Sequence, residues 1–405
     1  MKSERAIQFG VLGMGRAFTL MLPTFLGDSR IKLVAAFDPR ATARDAFESV
    51  FNGRAYPSEH DVCSDPGVEW VYIATPHQLH ASHVELAAKH GKHVLVEKPL
   101  SISIEEGTRM VDACKHAGVH LIVGHSHSFN GPVLQARQLI DSGRFGQVRM
   151  IEALQYTDFL YRPRRPEELD TRQGGGVVLS QAAHQVDIVR LLGGGLVESV
   201  RACIGRWDPA RPTEGAYSAL LSFKGGAFAS ISYNGYGYFD SDLWMGQIGE
   251  MGTPKPKNAH QQTRRRLEVA RDEAAEVALK AERNFGGALF TMPDAPARPL
   301  AFQHFGPLIV SCDLADLRLT PSGVEVTDPH GTHLLEGSLP SVPRGEVVDE
   351  VWRVMREGNS PLHDGQWALA TLEVCLAMLA SDADRRDMPL YHQVATPRTT
   401  DVLCR

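Results

Sequence analysis

The sequence of 405 residues lacks the features that mark several large classes of protein. No apolar run approaches the roughly 18 residues of a membrane-spanning helix, and the polar N-terminal stretch MKSERAIQFGVLG is unlike a secretory signal peptide. The formal net charge is −6, so there is no excess of positive charge for nucleic acid or for an acidic membrane surface. We therefore expect a cytoplasmic protein with no nucleic-acid and no membrane partner.

Cysteine is scarce and follows no pattern. The six cysteines have neither the paired spacing of a zinc site nor the arrangement of a disulfide framework; they are Cys63, Cys114, Cys203, Cys312, Cys375 and Cys404. Histidines occur in two short runs, at 77–83 and 125–127, but neither run brings a carboxylate or a cysteine at ligand spacing. The sequence therefore predicts a reducing compartment and no metal site.

What the sequence does contain is a regular alternation of apolar strands and helices over its first third. The predicted strands are 7–12, 31–38, 70–76, 93–96 and 119–123, and the predicted helices are 16–22, 41–51, 80–90 and 104–117. Strands of near-continuous hydrophobicity separated by single helices are typical of an α/β protein with a parallel sheet covered on both faces. Ligands bind such sheets at the carboxyl ends of the strands.

Two glycines stand directly between the first strand and the first helix. The stretch GVLGMGRAF places Gly13 and Gly15 where a dinucleotide fold needs a tight turn and a close approach to a pyrophosphate, although Phe18 replaces the third glycine of the usual fingerprint. Asp38 ends the second strand, where a carboxylate would accept hydrogen bonds from the adenosine ribose and repel a 2′-phosphate. We predict NAD as cofactor, with NADP left possible because Arg40 could bind that phosphate.

Longer stretches resemble the glucose–fructose oxidoreductase, inositol dehydrogenase and MocA family. The similarity lies in GVLGMGRAF, in IATPHQLHASHVELAAKHGKHVLVEKPL and in GGGVVLSQAAHQVDIVRLLGG, and the tripeptide EKP at 97–99 is its most specific mark. The resemblance implies an N-terminal Rossmann domain with a doubly wound parallel sheet, residues 1–125. It also implies a C-terminal α/β domain, residues 126–405, with a large open, mostly antiparallel sheet. The implied activity is NAD(P)-dependent oxidation of a secondary alcohol.

The resemblance also implies roles for individual residues. Lys98 corresponds to the lysine that takes the hydroxyl proton, and a position near the positively charged nicotinamide should lower its pKa. His184 ends the family motif GGG-x-x-x-D-x-G-x-H as a second catalytic residue, and Asp187, one helical turn later, is placed to orient its ring. The residues expected around the cofactor are Gly13, Gly15, Arg16, Ala17, Phe18, Asp38, Arg40, Thr75, Pro76, His77, His80, Glu97 and Lys98. Glu97 is expected to orient Lys98 or the nicotinamide side, with a simple surface ion pair as the alternative.

Two features set the sequence apart from the sugar dehydrogenases of the family. Within the motif Ser180 replaces the aspartate and Ala182 the glycine, so the carboxylate that would bind a polyol hydroxyl is missing. The preceding stretch FLYRPRRPEELDTRQ contains four arginines, which suit a substrate carboxylate if they face the cleft. A solvated loop balanced by its own acidic residues is the alternative. The predicted substrate-binding residues are Arg164, Arg172, Ser180, Gln181 and Asp187.

A charged segment, at about 246–290, interrupts the second domain. From about 258 to 285 it has the composition of a charged helix with little apolar stripe, and we place it between strands of one sheet. A solvated excursion, a lid and an oligomer contact are the possible roles.

Taken together, these features are most similar to the branch of the family that oxidises dihydrodiols of aromatic acids. The resemblance implies conversion of cis-4,5-dihydro-4,5-dihydroxyphthalate to 4,5-dihydroxyphthalate with NAD. A sugar or inositol dehydrogenase of the same family and a noncatalytic NAD(P)-sensing regulator are the alternatives, and the intact Lys98 and His184 count against the regulator. We expect an aromatic or polyol small-molecule substrate and a homo-oligomer, either a dimer or a tetramer.

Overall fold

The computed structural model describes residues 5–293 and 299–397, and the chain forms two units. The first unit contains the chain up to His125, a segment that begins at Ala274, and Pro340–Ala368. The second contains Ser126–Glu273, a segment that ends at Leu339, and the chain from Leu369 onward. Two later stretches that the sequence analysis assigned to the second domain therefore belong to the first unit.

Strands and helices follow one another along the described residues. The strands are β1 (Ile7–Leu12), β2 (Ile31–Phe37), β3 (Arg54–Ala55), β4 (Trp70–Ile73), β5 (His93–Val96), β6 (Leu121–Val123), β7 (Val148–Tyr156), β8 (Val197–Gly205), β9 (Ala216–Phe223), β10 (Phe228–Asn234), β11 (Leu308–Cys312), β12 (Asp316–Thr320), β13 (Gly323–Asp328), β14 (Gly331–Glu336) and β15 (Met388–Pro389). The α-helices are α1 (Arg16–Gly27), α2 (Ala41–Phe51), α3 (Glu59–Ser64), α4 (His80–Lys89), α5 (Ile104–Ala117), α6 (Gly131–Asp141), α7 (Ala183–Gly193), α8 (Ala259–Leu267), α9 (Glu273–Glu282), α10 (Gly345–Trp352) and α11 (Gly365–Asp384).

The first unit is built on a parallel sheet of six strands in the order β3-β2-β1-β4-β5-β6. The strand order reverses at β1, which pairs with both β2 and β4, so the carboxyl ends of β1 and β4 lie side by side at the place where such sheets bind ligands. The predicted Rossmann fold is confirmed. The sequence pattern does not indicate β3 or α3, because two residues and six residues are too short to show a periodic pattern.

The second unit contains a mixed sheet of nine strands in the order β14-β13-β12-β11-β7-β10-β9-β8-β15. Only β7 and β10 pair in parallel; the other neighbours are antiparallel. Side chains alternate along β9, where Tyr217, Ala219 and Leu221 are buried and Ser218 and Leu220 are exposed, as expected for a sheet with one covered face. The predicted open, mostly antiparallel sheet is confirmed.

The charged insertion lies in the chain between β10 and β11 and contains two helices, α8 and α9. Its first part is bound to the second unit: Lys255 Nζ lies 2.7 Å from an oxygen of Asp240 and 2.6 Å from one of Asp242. Arg264 on α8 donates to the carbonyl of Tyr236 at 2.7 Å, and its guanidinium lies 3.8 Å from the ring centre of Tyr161. Helix α9, in contrast, buries none of its residues. The insertion is therefore anchored where it leaves the sheet.

The cysteines in the described part of the chain are free thiols. Burial raises the pKa of the Cys63 and Cys114 thiols to about 12, so both are protonated at neutral pH. Cys404 lies outside the described residues.

Candidate active site

The turn after β1 has the shape that a dinucleotide pyrophosphate requires. Gly13 has φ +87°, and a Cβ there would lie 2.9 Å from the carbonyl oxygen of Ala74, so only glycine fits. A Cβ on Gly15 would meet nothing within 4 Å, which leaves open space in front of α1. Helix α1 has neither a side-chain cap at Gly15 nor an acidic residue in its first turn. Its positive end is therefore suited to a ligand anion, and the residues present fit the pyrophosphate of NAD.

The three residues that open α1 differ in what their side chains do. Arg16 is exposed, Ala17 is half-buried, and Phe18 is fully buried. The Phe18 ring centre lies 5.9 Å from that of Phe25 and 5.1 Å from that of Phe285. Phe18, which takes the place of the third glycine, therefore supports the glycine turn from within the core.

Asp38, the expected ribose ligand, is 3% exposed and bound by the protein itself. One carboxylate oxygen accepts the backbone N–H of Met14 at 2.7 Å, and the other accepts the backbone N–H of Arg40 at 2.9 Å. The Arg40 side chain adds hydrogen bonds from Nε and Nη2 at 3.0 and 3.1 Å. Asp38 and Arg40, which the sequence analysis treated as competing cofactor ligands, thus form one ion pair.

His80 lies between the segments that follow β4 and β5. The ring is fully buried. Its Nδ1 lies 3.0 Å from the carbonyl oxygen of Pro99, and its Nε2 lies 3.1 Å from the carbonyl oxygen of Thr75. Burial lowers the pKa of His80 to about 4, so the ring is neutral at pH 7. Thr75, Pro76 and His77 are half-buried at the same edge of the sheet. A neutral ring carries one N–H, so His80 donates a hydrogen bond to one of these carbonyl oxygens and only contacts the other. The predicted contact of His80 with the cofactor stays a prediction.

Lys98 stands at the end of β5, half-buried, and Glu97 before it is 7% exposed. Glu97 accepts a hydrogen bond from the hydroxyl of Tyr72 at 2.7 Å, and burial raises the pKa of its carboxyl group. The surface ion pair considered for Glu97 is therefore wrong, because the carboxylate is buried among residues of its own sheet. The strand ends hold Lys98 at the edge of the sheet that binds ligands.

In the second unit His184 belongs to a cluster of rings. Its ring centre lies 4.8 Å from that of His127 and 4.9 Å from that of Phe305. His127 Nε2 lies 3.3 Å from a carboxylate oxygen of Glu250. His127, Phe305 and Glu250 were not among the predicted site residues, because each is more than 50 residues from His184 in the chain and belongs to no family motif.

The hydrogen bonds of Asn130 indicate which nitrogen of His127 carries the hydrogen. Asn130 Nδ2 donates to the carbonyl oxygen of Gln303 at 2.9 Å, which identifies that atom as the amide nitrogen. The same Nδ2 lies 2.9 Å from His127 Nδ1, so Nδ1 accepts and the hydrogen sits on Nε2, towards Glu250. The ring beside His184 is therefore held in a fixed orientation.

The other predicted substrate residues lie on the π-helical turn Val178–Ala182 and on α7. The hydroxyl of Ser180 donates to the carbonyl oxygen of Gly176. Gln181 accepts from the hydroxyl of Tyr233 at 3.3 Å. Both oxygens of Asp187 accept hydrogen bonds from hydroxyls, and the donors are Ser128 and Thr371. Asp187, predicted to orient His184, thus ties α7 to neighbouring elements of the same unit.

The arginines of the preceding loop are not equivalent. The Arg164 side chain is 10% exposed, and its guanidinium lies 3.6 Å from the ring centre of Phe159. Its ion pair with Glu168 is long, at 3.8 Å, and burial with the nearby charges of Arg162 and Arg211 lowers the pKa of Arg164 to about 10. Arg172 is 90% exposed and pairs with its neighbour Asp170. The geometry therefore favours Arg164 over Arg172 as a ligand for a substrate anion.

A row of aromatic rings joins Arg164 to His184. Phe159, beneath the Arg164 guanidinium, lies 6.4 Å from the ring centre of Tyr233, which stacks on Phe305 at 6.1 Å and 17°. Phe305 in turn contacts His184. The second unit therefore presents a cation and a histidine at opposite ends of an aromatic row.

In residues 5–293 and 299–397, no three or more His, Cys, Asp or Glu side chains are grouped so that they could hold a metal ion. A helix with the length and apolar character needed to cross a membrane is likewise absent from that part of the chain.

The sheet order, the glycine turn and the uncapped α1 define a dinucleotide-binding domain. Residues 7–125 match the model of an oxidoreductase family with an NAD-binding Rossmann fold, and residues 133–254 match the model of the GFO/IDH/MocA C-terminal domain. The chain belongs to the glucose–fructose oxidoreductase, inositol dehydrogenase and MocA family, and its first unit is the NAD-binding domain of that family.

Several known proteins are similar over nearly the whole chain. The 1-carboxy-3-chloro-3,4-dihydroxycyclo hexa-1,5-diene dehydrogenase of Comamonas testosteroni is 46% identical over 374 residues, which are 92% of this chain and 94% of that protein. A structure from Bordetella bronchiseptica, assigned as a dehydrogenase, has a TM-score of 0.88 and 38% identity and covers 95% of this chain and 100% of its own. The WlbA dehydrogenase of Bordetella pertussis, solved with NADH and UDP-GlcNAcA, shares the fold at a TM-score of 0.68 and 22% identity, over 96% of this chain and 99% of its own.

Proposed function

We propose that the protein is an NAD-dependent dehydrogenase that oxidises a cis-dihydrodiol of a carboxylated cyclohexadiene to the corresponding catechol. The predicted substrate is cis-4,5-dihydro-4,5-dihydroxyphthalate. The observation that carries the proposal is Arg164, a buried cation at one end of the aromatic row that leads to His184. The relative from Comamonas testosteroni supports it, since that protein's name describes a carboxylated dihydroxycyclohexadiene.

Arg164 suits a carboxylate because it is a cation with little exposure to solvent. Burial lowers its pKa to about 10, which still leaves it charged at pH 7. A carboxylate can bind the guanidinium through two parallel hydrogen bonds and add its charge to that of Glu168. The apolar ring of a cyclohexadiene suits a unit in which the aromatic side chains Phe159, Tyr233 and Phe305 lie between Arg164 and His184.

The reaction needs little besides positioning and proton transfer. One carbinol carbon loses its hydrogen as a hydride and its hydroxyl loses a proton, so a carbonyl forms. The proton on the neighbouring ring carbon, which bears the second hydroxyl, then moves to the carbonyl oxygen and the ring becomes aromatic. The balance is diol and NAD⁺ to catechol, NADH and one proton. NAD, when bound, supplies the hydride acceptor.

The proton chemistry is assigned to this chain's own side chains. We propose Lys98 as the base that takes the hydroxyl proton, since β5 ends there and the buried His80 packs against the segments that follow β4 and β5. We propose His184 as the residue that hydrogen-bonds the substrate hydroxyl, with its ring held in place by His127 and Phe305. Ser180, in the place of the family aspartate, offers a hydroxyl where a polyol dehydrogenase would offer a carboxylate.

A substrate panel tests the proposal. Purified protein with NAD should reduce the cofactor with the phthalate dihydrodiol and with a monocarboxylated dihydrodiol that has a hydrogen on both carbinol carbons. It should be slow with a dihydrodiol that has no carboxylate and with myo-inositol. Equal turnover of the uncharged dihydrodiol would contradict the role of the carboxylate, and preference for inositol would favour the polyol alternative. The homo-oligomeric state and the cytoplasmic location stay predictions.

A further inference from the structure

The last part of the charged insertion, after α9, packs within the first unit. Phe285, in the turn after α9, is fully buried, and its ring centre lies 5.1 Å from that of Phe18 and 6.3 Å from that of Phe51. Gly286 has φ +74°, and a Cβ there would lie 2.6 Å from Cα of Ala43 on α2. The turn is therefore packed so closely on the unit that a side chain at Gly286 would not fit.

The backbone of Phe285 is bound on both sides. Its N–H donates to the hydroxyl of Thr19 at 3.0 Å, and that hydroxyl donates to the carbonyl oxygen of Gly15 in the glycine turn at 2.9 Å. Its carbonyl oxygen accepts a hydrogen bond from Nη1 of Arg40 at 3.2 Å. One turn of the insertion thus contacts the two parts of the domain that a dinucleotide would meet, namely the glycine turn and the end of β2.

Arg40 is held by acceptors on three sides. Its Nε and Nη2 bind the carboxylate of Asp38, its Nη2 also donates to the carbonyl oxygen of Met14 at 2.8 Å, and its Nη1 binds Phe285. Asp38 in turn accepts four hydrogen bonds, which is the full capacity of a carboxylate. The guanidinium can reach a new anion only by leaving some of these partners.

We propose that the 284–286 turn is a positioning element for cofactor choice: by fixing Arg40 on Asp38 it withholds the guanidinium from the 2′-phosphate of NADP. An arginine free to move could bind a phosphate through two hydrogen bonds. The Asp38 carboxylate lies about 3 Å from the fixed Arg40 guanidinium. A phosphate that approached this guanidinium would therefore be repelled by the negative charge of Asp38. The insertion therefore favours NAD. This inference rests on the NAD-binding domain and is independent of the alcohol that is oxidised.

Direct titration of the protein with NADH and NADPH, followed by nicotinamide fluorescence with no alcohol present, tests the proposal. The wild-type protein should bind NADH more tightly. Phe285→Ala removes the ring that anchors the turn, and it should reduce the NADH-over-NADPH preference by about tenfold or more, the contribution of one charge-assisted hydrogen bond. Because no substrate is added, failure of the dihydrodiol assay would leave this result standing.

The double variant separates positioning from a general loss of structure. In Arg40→Ala the guanidinium is gone, so the further change Phe285→Ala should leave the cofactor preference where Arg40→Ala put it. Met110→Ala is the matched control, since Met110 is a fully buried residue of α5 in the same unit, and it should lower stability without changing the preference. An equal shift with and without Arg40, or the same shift in the control, would overturn the proposal.

A second variant covers the case in which Phe285→Ala does not fold. Thr19→Val keeps the side-chain volume and removes the acceptor of the Phe285 N–H, so it should shift the preference towards NADPH in the same direction. Thr19→Ser keeps the hydroxyl and should restore the wild-type ratio of the two dissociation constants. A folded Thr19→Val protein with an unchanged ratio, or a wild-type protein that already prefers NADPH, would show that the turn does not set the choice.

Discussion

Replacement of Arg164 by glutamine should remove most of the catalytic efficiency towards carboxylated dihydrodiols. The side chain is 10% exposed and stacks on Phe159, so solvent screens its charge little. A charge-assisted hydrogen bond in such surroundings contributes about 1.5–3 kcal/mol. At about 1.4 kcal/mol per tenfold change, kcat/KM for the carboxylated substrate should fall roughly 10- to 150-fold.

Glutamine is chosen as the replacement for Arg164 because it should preserve the fold. Arg164 Nη2 donates to the carbonyl oxygen of Phe159 at 2.6 Å, and the glutamine amide retains an N–H for a hydrogen bond of this kind. Loss of the cation over the Phe159 ring should cost a further 0.5–2 kcal/mol or so of stability. A thermal melt of the variant checks that this loss leaves the protein folded at the assay temperature.

The assay is steady-state NADH formation with two substrates that differ only in the carboxylates. Arg164→Gln should reduce kcat/KM for the carboxylated dihydrodiol and change it little for the uncharged one, and NADH affinity should stay the same. Arg172→Ala is the matched control, because that arginine is 90% exposed and pairs with Asp170 at the surface. The reasoning is refuted if Arg164→Gln affects both substrates equally, or if Arg172→Ala causes the larger loss.

Three further predictions concern the first unit. Lys98→Ala should lower kcat by on the order of 100-fold or more while NADH still binds in a fluorescence titration, and near-normal turnover would exclude Lys98 as the base. Asp38→Ala should weaken NAD and narrow its advantage over NADP in measured dissociation constants, since it releases both Met14 and Arg40; an unchanged ratio would contradict this. For His80, burial lowers the folded-state pKa from 6.5 to about 4, so between these values the unfolded chain binds a proton that the folded protein does not. Folding stability should therefore fall as the pH drops from 6.5 to 4, by up to about 3 kcal/mol, and urea unfolding of His80→Gln should lack that part of the pH dependence.

Much of the first unit was predictable because its signals are local. The bounds observed for β1, α2, β5 and α5 are those that the alternation of apolar residues predicts. The glycine turn and the position of Lys98 at a strand end follow from the same pattern, since parallel strands place their carboxyl ends at one edge of the sheet. These features depend on residues close together in the chain.

The family motifs also indicated the class of enzyme, which the comparisons confirm. In this respect short stretches of sequence were sufficient, because the chemistry of a dinucleotide turn requires particular residue types at fixed spacing. The choice of Asp38 as a ribose ligand was based on the same spacing. The structure adds that this carboxylate is held by Met14, 24 residues earlier, and by Arg40.

Only the tertiary structure distinguished the arginines and assembled the rings around His184. Arg164 and Arg172 occur in similar polar sequence, yet Arg164 is 10% exposed and Arg172 is 90% exposed. Arg164 stacks on Phe159, which in turn packs on Tyr233 of the distant strand β10, and the sequence of the loop does not show that contact. Likewise, Phe285 packs on the Rossmann core from a segment that its charge pattern assigns to solvent. Hydrophobic periodicity reports which face of an element is covered, whereas the identity of the covering residue is set by contacts between segments hundreds of residues apart.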